Sequence, residues 1–403
     1  MAQLVPFRAL RPAVDVAARV AAVPYDVVST EEARSMAADP LSFLHVSRAE
    51  IDLPAGTSPY ADEVYGRAVA NFVTLTGEAP LVMEAVASLY VYRLRMDAHV
   101  QTGVAACFRV ADYESDVIRK HERTRRDKED DRTRHILELR AQTGPVFLTY
   151  PARPAIDRLV LTATAAAPLY DFTATDGVQH TLWRLAAAET AALRTLFAAV
   201  PALYIADGHH RAASAARACR ELSASGGGGE WETFLAVAFP DDQMQVLAYN
   251  RTIRDLRGMT PAEFLAALRA RFAVSDGAAV PDGRGQVAMF LEGRWHTIAL
   301  GDPPVDAAPV DRLDVSRLQD LILTPMLGIG DVRSDPRIDF VGGGRGTGEL
   351  EQHVASGKAA VAFSLHPVGV DDLMAIADAG GIMPPKSTWF EPKLRDGLLS
   401  HVI

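Results

Sequence analysis

A five-residue apolar run, A-L-Y-I-A from Ala202 to Ala206, stops at Asp207-Gly208 and turns at once into an alanine-rich stretch reaching about Leu222. This junction constrains the fold more than any other feature. A short apolar run behind Pro201 reads as a buried strand, and the stretch after it reads as a helix. A helix fed directly by a buried strand has to pack back on the sheet. The class is therefore α+β, with strands and helices interleaved along the chain.

The rest of the chain keeps that alternation. A helix is expected from about Tyr60 to Thr76. Strands are expected at Ala87–Met96 and Gly103–Ala111, joined as a hairpin through Asp97, Ala98 and His99. Further strands fall at Pro145–Tyr150, Val178–Leu185, Phe234–Phe239 and Gln245–Tyr249, with a helix at Ala187–Ala198. From Thr260 the pattern reads as a smaller appended unit: a helix with Phe264 and Leu268, then the pair Val287–Leu291 and His296–Leu300. After a linker at Pro303–Pro309 comes a last block, with strands at Ile338–Val341 and Ala359–Leu365 and helices near Val315–Leu323 and Val370–Ala379. The expected regions are 1–255, 256–310 and 311–403.

Composition removes several functions. With 49% hydrophobic and 23% charged residues, the 403-residue chain has ample material for a packed core. The 41 basic and 51 acidic side chains give a formal charge of −10, which argues against a protein that coats nucleic acid. Two cysteines, Cys107 and Cys219, make neither a disulfide framework nor a four-thiolate zinc site. No run approaches the ~18 apolar residues needed to span a bilayer, and the first residues lack a leader pattern. The expected setting is the cytoplasm.

The sharpest chemical signal is Y-I-A-D-G-H-H-R, Tyr204 to Arg211. At a helix start the free N–H groups and the helix dipole favour an anion. Arg211 adds a guanidinium fork suited to phosphate oxygens. Asp207 can hold a metal or orient a hydroxyl, or serve as a plain N-cap with both histidines on the surface. A second signal is the run from Lys120 to His135, which carries no apolar residue. It reads either as a solvated helix face rich in ion pairs or as a cleft wall. His121, Glu122, Thr124, Lys128, Asp131 and Arg132 supply the cations and carboxylates that phosphoryl transfer needs. A third is P-P-K-S-T, where stiff prolines would present Lys386, Ser387 and Thr388. It is not a Walker A loop, because Pro385 stands where glycine is required. The glycines from Gly342 to Gly348 miss G-x-G-x-x-G, and His121-Glu122 lacks the second histidine of a zincin helix.

D-G-H-H-R after a strand resembles the phosphate-binding motif of the ParB/sulfiredoxin-like superfamily, in particular its free serine kinases. P-Y-D-V-V-S at Pro24–Ser29, H-V-S-R-A-E-I-D-L-P at His45–Pro54 and H-E-R-T at His121–Thr124 resemble the family catalogued as domain of unknown function 1015. So do Asp131-Arg132, Y-I-A-D-G-H-H-R and M-P-P-K-S-T-W-F-E-P-K-L at Met383–Leu394. The kinase resemblance implies a ParB/sulfiredoxin-like core with added subdomains. It also implies phosphoryl exchange between ATP or ADP and free serine or phosphoserine, with magnesium (Mg2+) carried by the nucleotide. On that reading Asp207, Glu122, His209 and His210 are catalytic, and Asp207 also sits beside the metal. Gly208, Arg211, Lys128 and Arg132 hold phosphate, while His121, Thr124, Lys386, Ser387 and Thr388 face the substrate. Glu50 is the alternative base. A nucleotide-sensing module and a nucleotide-independent phosphatase remain as rival readings. No membrane partner is expected, and nucleic acid is disfavoured.

Overall fold

The computed structural model describes residues 2–77, 80–224 and 226–403. By internal contacts the chain divides into two units, residues 1–244 with 392–403, and residues 245–391. The division follows strand pairing, which sequence order does not display.

The first unit is built on a mixed sheet. Its strands are β1 (Tyr90–Met96), β2 (His99–Arg109), β3 (Ile118–Arg119), β4 (Val146–Tyr150), β5 (Tyr170–Thr173), β6 (Gln179–Arg184), β7 (Leu203–Asp207) and β8 (Thr233–Pro240). They lie in the order β3-β7-β4-β8-β2-β1-β6-β5, and the short strand Leu4–Val5 also pairs with β2. The β7/β3 and β8/β4 pairs are parallel and the other pairs of that order antiparallel. The expected hairpin is present, turning at Asp97 with φ 53°.

β4 and β8 run through the middle of the sheet, and nearly all their residues are buried. Such strands need cover on both faces. Alternation divides their side chains between the two faces. Val146, Leu148, Ile205, Phe234 and Ala236 join one core with α2 (Arg126–Leu139), α3 (Pro154–Ala163), α4 (Ala187–Phe197) and α5 (His209–Ser223). Phe147, Tyr204, Leu235 and Phe239 point to the opposite face. A second core lies under α1 (Asp62–Gly77), where Phe43, Phe72 and Leu139 meet a four-stranded sheet of Ala9–Pro12, Leu81–Met83, Ala141–Gln142 and Ser400–Val402.

In the second unit one antiparallel sheet contains β9 (Tyr249–Ile253), β10 (Ala273–Asp276), β11 (Gln286–Leu291), β12 (Arg294–Ala299), β13 (Ile338–Gly342) and β14 (Val361–Leu365). Their order is β10-β12-β11-β14-β9-β13. This sheet takes strands from all three regions expected from the sequence, so the small unit at 256–310 does not stand apart. β11 and β12 turn through Glu292 and Gly293, both at positive φ, the geometry that matches hairpin twist. The single strand expected at Gln245–Tyr249 is two: Gln245–Leu247 pairs with Trp389–Glu391, and Tyr249 starts β9. Among the described residues no helix is long and apolar enough to cross a membrane.

Candidate active site

The junction that opened the sequence reading is also where polar groups collect. Pairing of β7 with β4 shifts register between Ile205 and Asp207. A local bulge of this kind re-aims the residues beside it. Gly208 follows at φ 93°, ψ 30°, and α5 begins at His209 with no side-chain cap. A Cβ at Gly208 would lie 2.9 Å from Arg211 Nε, so glycine is required both for the dihedral and for the room that Arg211 occupies. The N–H groups of the helix's first turn have no acceptor within the helix.

Asp207 closes a cluster of opposite charges. Lys393 donates to its Oδ2 at 2.9 Å, and Arg211 Nη2 stands 3.7 Å from its Oδ1. Burial would raise this carboxyl, but Lys393 first and then Arg211 outweigh it and hold it well below the usual carboxylate range. Arg211 is 8% exposed, donates to the Pro145 carbonyl at 2.9 Å and lies 3.8 Å from Asp26 Oδ2. Burial disfavours its charge, yet Asp26, Asp207 and Asp396 hold its pKa above the ordinary value. Arg211 is thus enclosed by carboxylates and is not a fork presented to solvent. It fixes the turn. Two cations on Asp207 also weigh against its placement beside a metal, because a third positive centre next to Lys393 and Arg211 would be repelled. Among the described residues no three His, Cys, Asp or Glu side chains group as a metal site. The residues here do not fit a resident Mg2+.

The histidines define a second set of contacts. His209 Nε2 accepts from the His121 N–H at 3.5 Å, which leaves its Nδ1 proton facing Glu122 Oε2 at 3.7 Å. The rings of His121 and His209 meet edge to face at 4.4 Å. Burial drives His209 well below its ordinary value, and His121 lowers it further. Burial brings His121 to about 4, against the pull of Asp207. Both are neutral near pH 7. His210 Nε2 accepts from the Arg125 N–H at 2.9 Å, and burial is the main cause that lowers its pKa.

The mixed-charge run therefore meets the D-G-H-H-R helix. Ser214 on α5 donates to the Glu129 carbonyl, and Arg217 pairs with Asp130. One face of α2 is solvated and ion-paired, as Arg125–Asp127 and Arg134–Glu138 show. The other carries Asp131, Arg132 and His135 inward. Arg132 pairs with Asp131 at 2.8 Å and lies 4.2 Å over the Tyr25 ring. With Arg211, Asp396 and Gly144 it lines a cavity of about 40 Å³.

Several expected residues are engaged within their own surroundings. The Thr124 hydroxyl donates to Glu129 Oε2 at 3.0 Å, and His121 is 3% exposed, so neither is free to face a substrate. Lys386, Ser387 and Thr388 belong to the second unit. There Lys386 sits at φ 59° with its ammonium 5.3 Å over Tyr249, and the Ser387 hydroxyl donates to Pro384 O at 2.6 Å. Glu50 is 4% exposed and held by Arg48 Nε at 2.7 Å and the Thr30 hydroxyl at 3.2 Å. Lys393, Asp26 and Asp396 were not among the expected site residues. Two of them lie in stretches the sequence already singled out, Lys393 in M-P-P-K-S-T-W-F-E-P-K-L and Asp26 in P-Y-D-V-V-S, while Asp396 lies in neither.

Comparison with solved structures finds distant likenesses. Free serine kinase in complex with AMP is 12% identical with a TM-score of 0.35, over 73% of this chain and 92% of the other. SbnI with a C-terminal truncation, from Staphylococcus aureus, is 11% identical at TM-score 0.39, over 74% of this chain and 87% of its own. A conserved hypothetical protein from Pyrococcus furiosus is 13% identical at 0.36, over 74% and 95%. Likeness at this level assigns no activity. No curated protein matches the sequence. The family model for the protein of unknown function DUF1015 matches residues 4–316, and the chain belongs to that family.

Proposed function

We propose that this protein transfers a phosphoryl group between a nucleotide, ATP or ADP, and a small hydroxy acid. Free serine is the acceptor in one direction and phosphoserine the donor in the other. The observation that carries this reading is the convergence of Glu122, His209, Asp207 and Lys393 on the first turn of α5. The motif resemblance supports assigning the sheet around β7 to the ParB/sulfiredoxin-like fold. Two free cysteines suit a reducing, cytoplasmic setting.

Phosphoryl transfer asks a protein mainly for position and fixed charge. Glu122, aimed by the His209 Nδ1 proton, takes the proton of the acceptor hydroxyl. The hydroxyl oxygen bonds to the terminal phosphorus as the bond to the bridging oxygen breaks, and ADP leaves with that electron pair. Lys393 and the open N–H groups of α5 stabilise the phosphoryl oxygens. Asp207 and Arg211 act by holding Lys393 and the Gly208 turn in place.

The test is 31P NMR on the full chain with ATP and serine, and separately with ADP and phosphoserine, each with and without magnesium. Phosphoserine in the first, or ATP and serine in the second, is expected. Absence of both overturns the reading. Phosphate released from phosphoserine without nucleotide would make the protein a phosphatase.

A further inference from the structure

A second cavity, of about 140 Å³, lies between α1 and α2 and is lined by Arg48, Glu50, Tyr60, Lys128, Asp131 and Arg132 among others. Arg132 and Tyr25 form a wall that it shares with the smaller cavity beside Arg211. A cavity of about 150 Å³ holds one benzene, so this one has room for a molecule the size of a three-carbon hydroxy acid.

Its charges are nearly all matched from within. Arg48 pairs with Glu50 at 2.7 Å, and Glu50 also accepts from the Thr30 hydroxyl. Arg132 pairs with Asp131 at 2.8 Å, whose other oxygen accepts from the Tyr65 phenol at 2.7 Å. His135 is buried, with Nε2 on the Val46 carbonyl at 3.1 Å. Lys128 is the exception. Its ammonium donates to the Tyr60 phenol oxygen at 2.7 Å and lies 5.3 Å from that ring's centre. Among the described residues it forms no ion pair with a carboxylate. The cavity thus carries one surplus positive charge, with a phenol beside it, in a space too small for a nucleotide.

We propose that this cavity seats the phosphoryl acceptor and that Lys128, with the Tyr60 hydroxyl, holds the acceptor's carboxylate. The inference rests on the phosphoryl-transfer reading above. It moves Lys128 from the phosphate to the other end of the acceptor. With the carboxylate at Lys128, the body of the acceptor lies along Arg132 and Tyr25, the wall shared with the Arg211 side.

The test uses calorimetric binding as well as turnover, on the full chain. L-Serine is compared with L-serinamide, which keeps the hydroxyl and loses the carboxylate, on wild type, Lys128→Met and Tyr60→Phe. Tyr60 is exposed, so Tyr60→Phe keeps the fold if Lys128→Met does not. Serinamide should bind at least about tenfold more weakly than serine to wild type. Lys128→Met should weaken serine by about the same factor and leave KM for ATP within about twofold. Tyr60→Phe should cost serine affinity in the same direction by a smaller factor. Equal binding of serine and serinamide, or a rise in KM for ATP alone, overturns the proposal. So does the absence of serine binding. Serine binding that depends on Lys128 without any transfer from ATP supports this site and overturns the phosphoryl-transfer reading instead.

Discussion

Lys393 sets its ammonium 2.9 Å from Oδ2 of Asp207, across 186 positions of sequence. Lys393 belongs to the last dozen residues of the chain, which return to the first unit. Asp207 ends β7, next to the short edge strand β3, so this pair ties the segment 392–403 to the start of α5. It also sets the charge of the site, because Lys393 and Arg211 keep the carboxylate ionised.

Asp207→Asn leaves Lys393 and Arg211 without this counter-charge in a largely buried position. Removing one partner of such a pair typically costs about 3 kcal/mol. Urea unfolding should therefore show a clear loss of stability, and Lys393→Met should show one too. The double variant should recover about 1 kcal/mol or more relative to the sum of the two. Strict additivity would mean the pair contributes nothing.

Gly208→Ala should be destabilising for two separable reasons. The left-handed dihedral costs an L residue about 1–2 kcal/mol, and the new Cβ would displace Arg211 from 2.9 Å. Gly208→Asn separates them, because asparagine tolerates the dihedral but keeps the clash. Thermal unfolding should place both variants well below wild type, with asparagine the milder. A fully stable asparagine variant would leave the dihedral as the whole requirement.

Local patterning carried the first sheet a long way. The hairpin at Asp97, the strand before Asp207 and the helix after it follow from apolar alternation and from a glycine at a sharp break. What it could not carry is pairing between distant segments. β10, β11 and β12 look like a separate unit in sequence because their hairpin is local, but β14 joins them to β9 only by long-range pairing. The site divides in the same way. His209, His210 and Arg211 share one helix turn and were legible together. Lys393 and Asp396 approach from the chain's end, and nothing in their own neighbourhoods signals Asp207 or Arg211. Arg211 itself was legible as a site residue but not as an enclosed one, because enclosure depends on Asp26 and Asp396.

Asp396 gives a pH signature. Burial holds its carboxyl up to about 7, with Arg211 opposing and Asp26 reinforcing the rise. Gly144 packs against it closely enough that a Cβ there would lie 2.8 Å from Oδ1. In the unfolded chain aspartate ionises near ~3.9. Between those values the unfolded chain has released a proton that the folded protein keeps, so this group makes stability fall as pH rises from about 4 to about 7. His121, at about 4, and His135, at about 3, are lowered mainly by burial and act in the opposite sense. Their contribution is lost as pH falls below ~6.5. The difference between wild type and Asp396→Asn isolates the carboxyl. In urea unfolding the variant should gain on wild type by on the order of 2 kcal/mol between pH 5 and pH 8. A difference that stays flat over that interval would mean that Asp396 ionises like an exposed residue.

Glu122 and Glu50 make opposite predictions for the proton acceptor. Glu122 is partly exposed and faces His209 Nδ1 at 3.7 Å beside the open end of α5, where an arriving hydroxyl can reach it. Glu50 is already ion-paired with Arg48 and accepts from the Thr30 hydroxyl in the wall of the larger cavity. Loss of a general base costs about 10²–10⁴ in rate. Glu122→Gln should therefore reduce kcat for transfer to serine by that factor while KM for ATP and the melting temperature change little. Glu50→Gln should lower the melting temperature, because it leaves Arg48 without its buried partner, and the fraction that stays folded should keep most of its kcat. Rapid-quench measurement of phosphoserine at a temperature where both variants are folded decides between them. If Glu50→Gln is the one that loses turnover, the base sits in the cavity wall, and His209 has no part in aiming it.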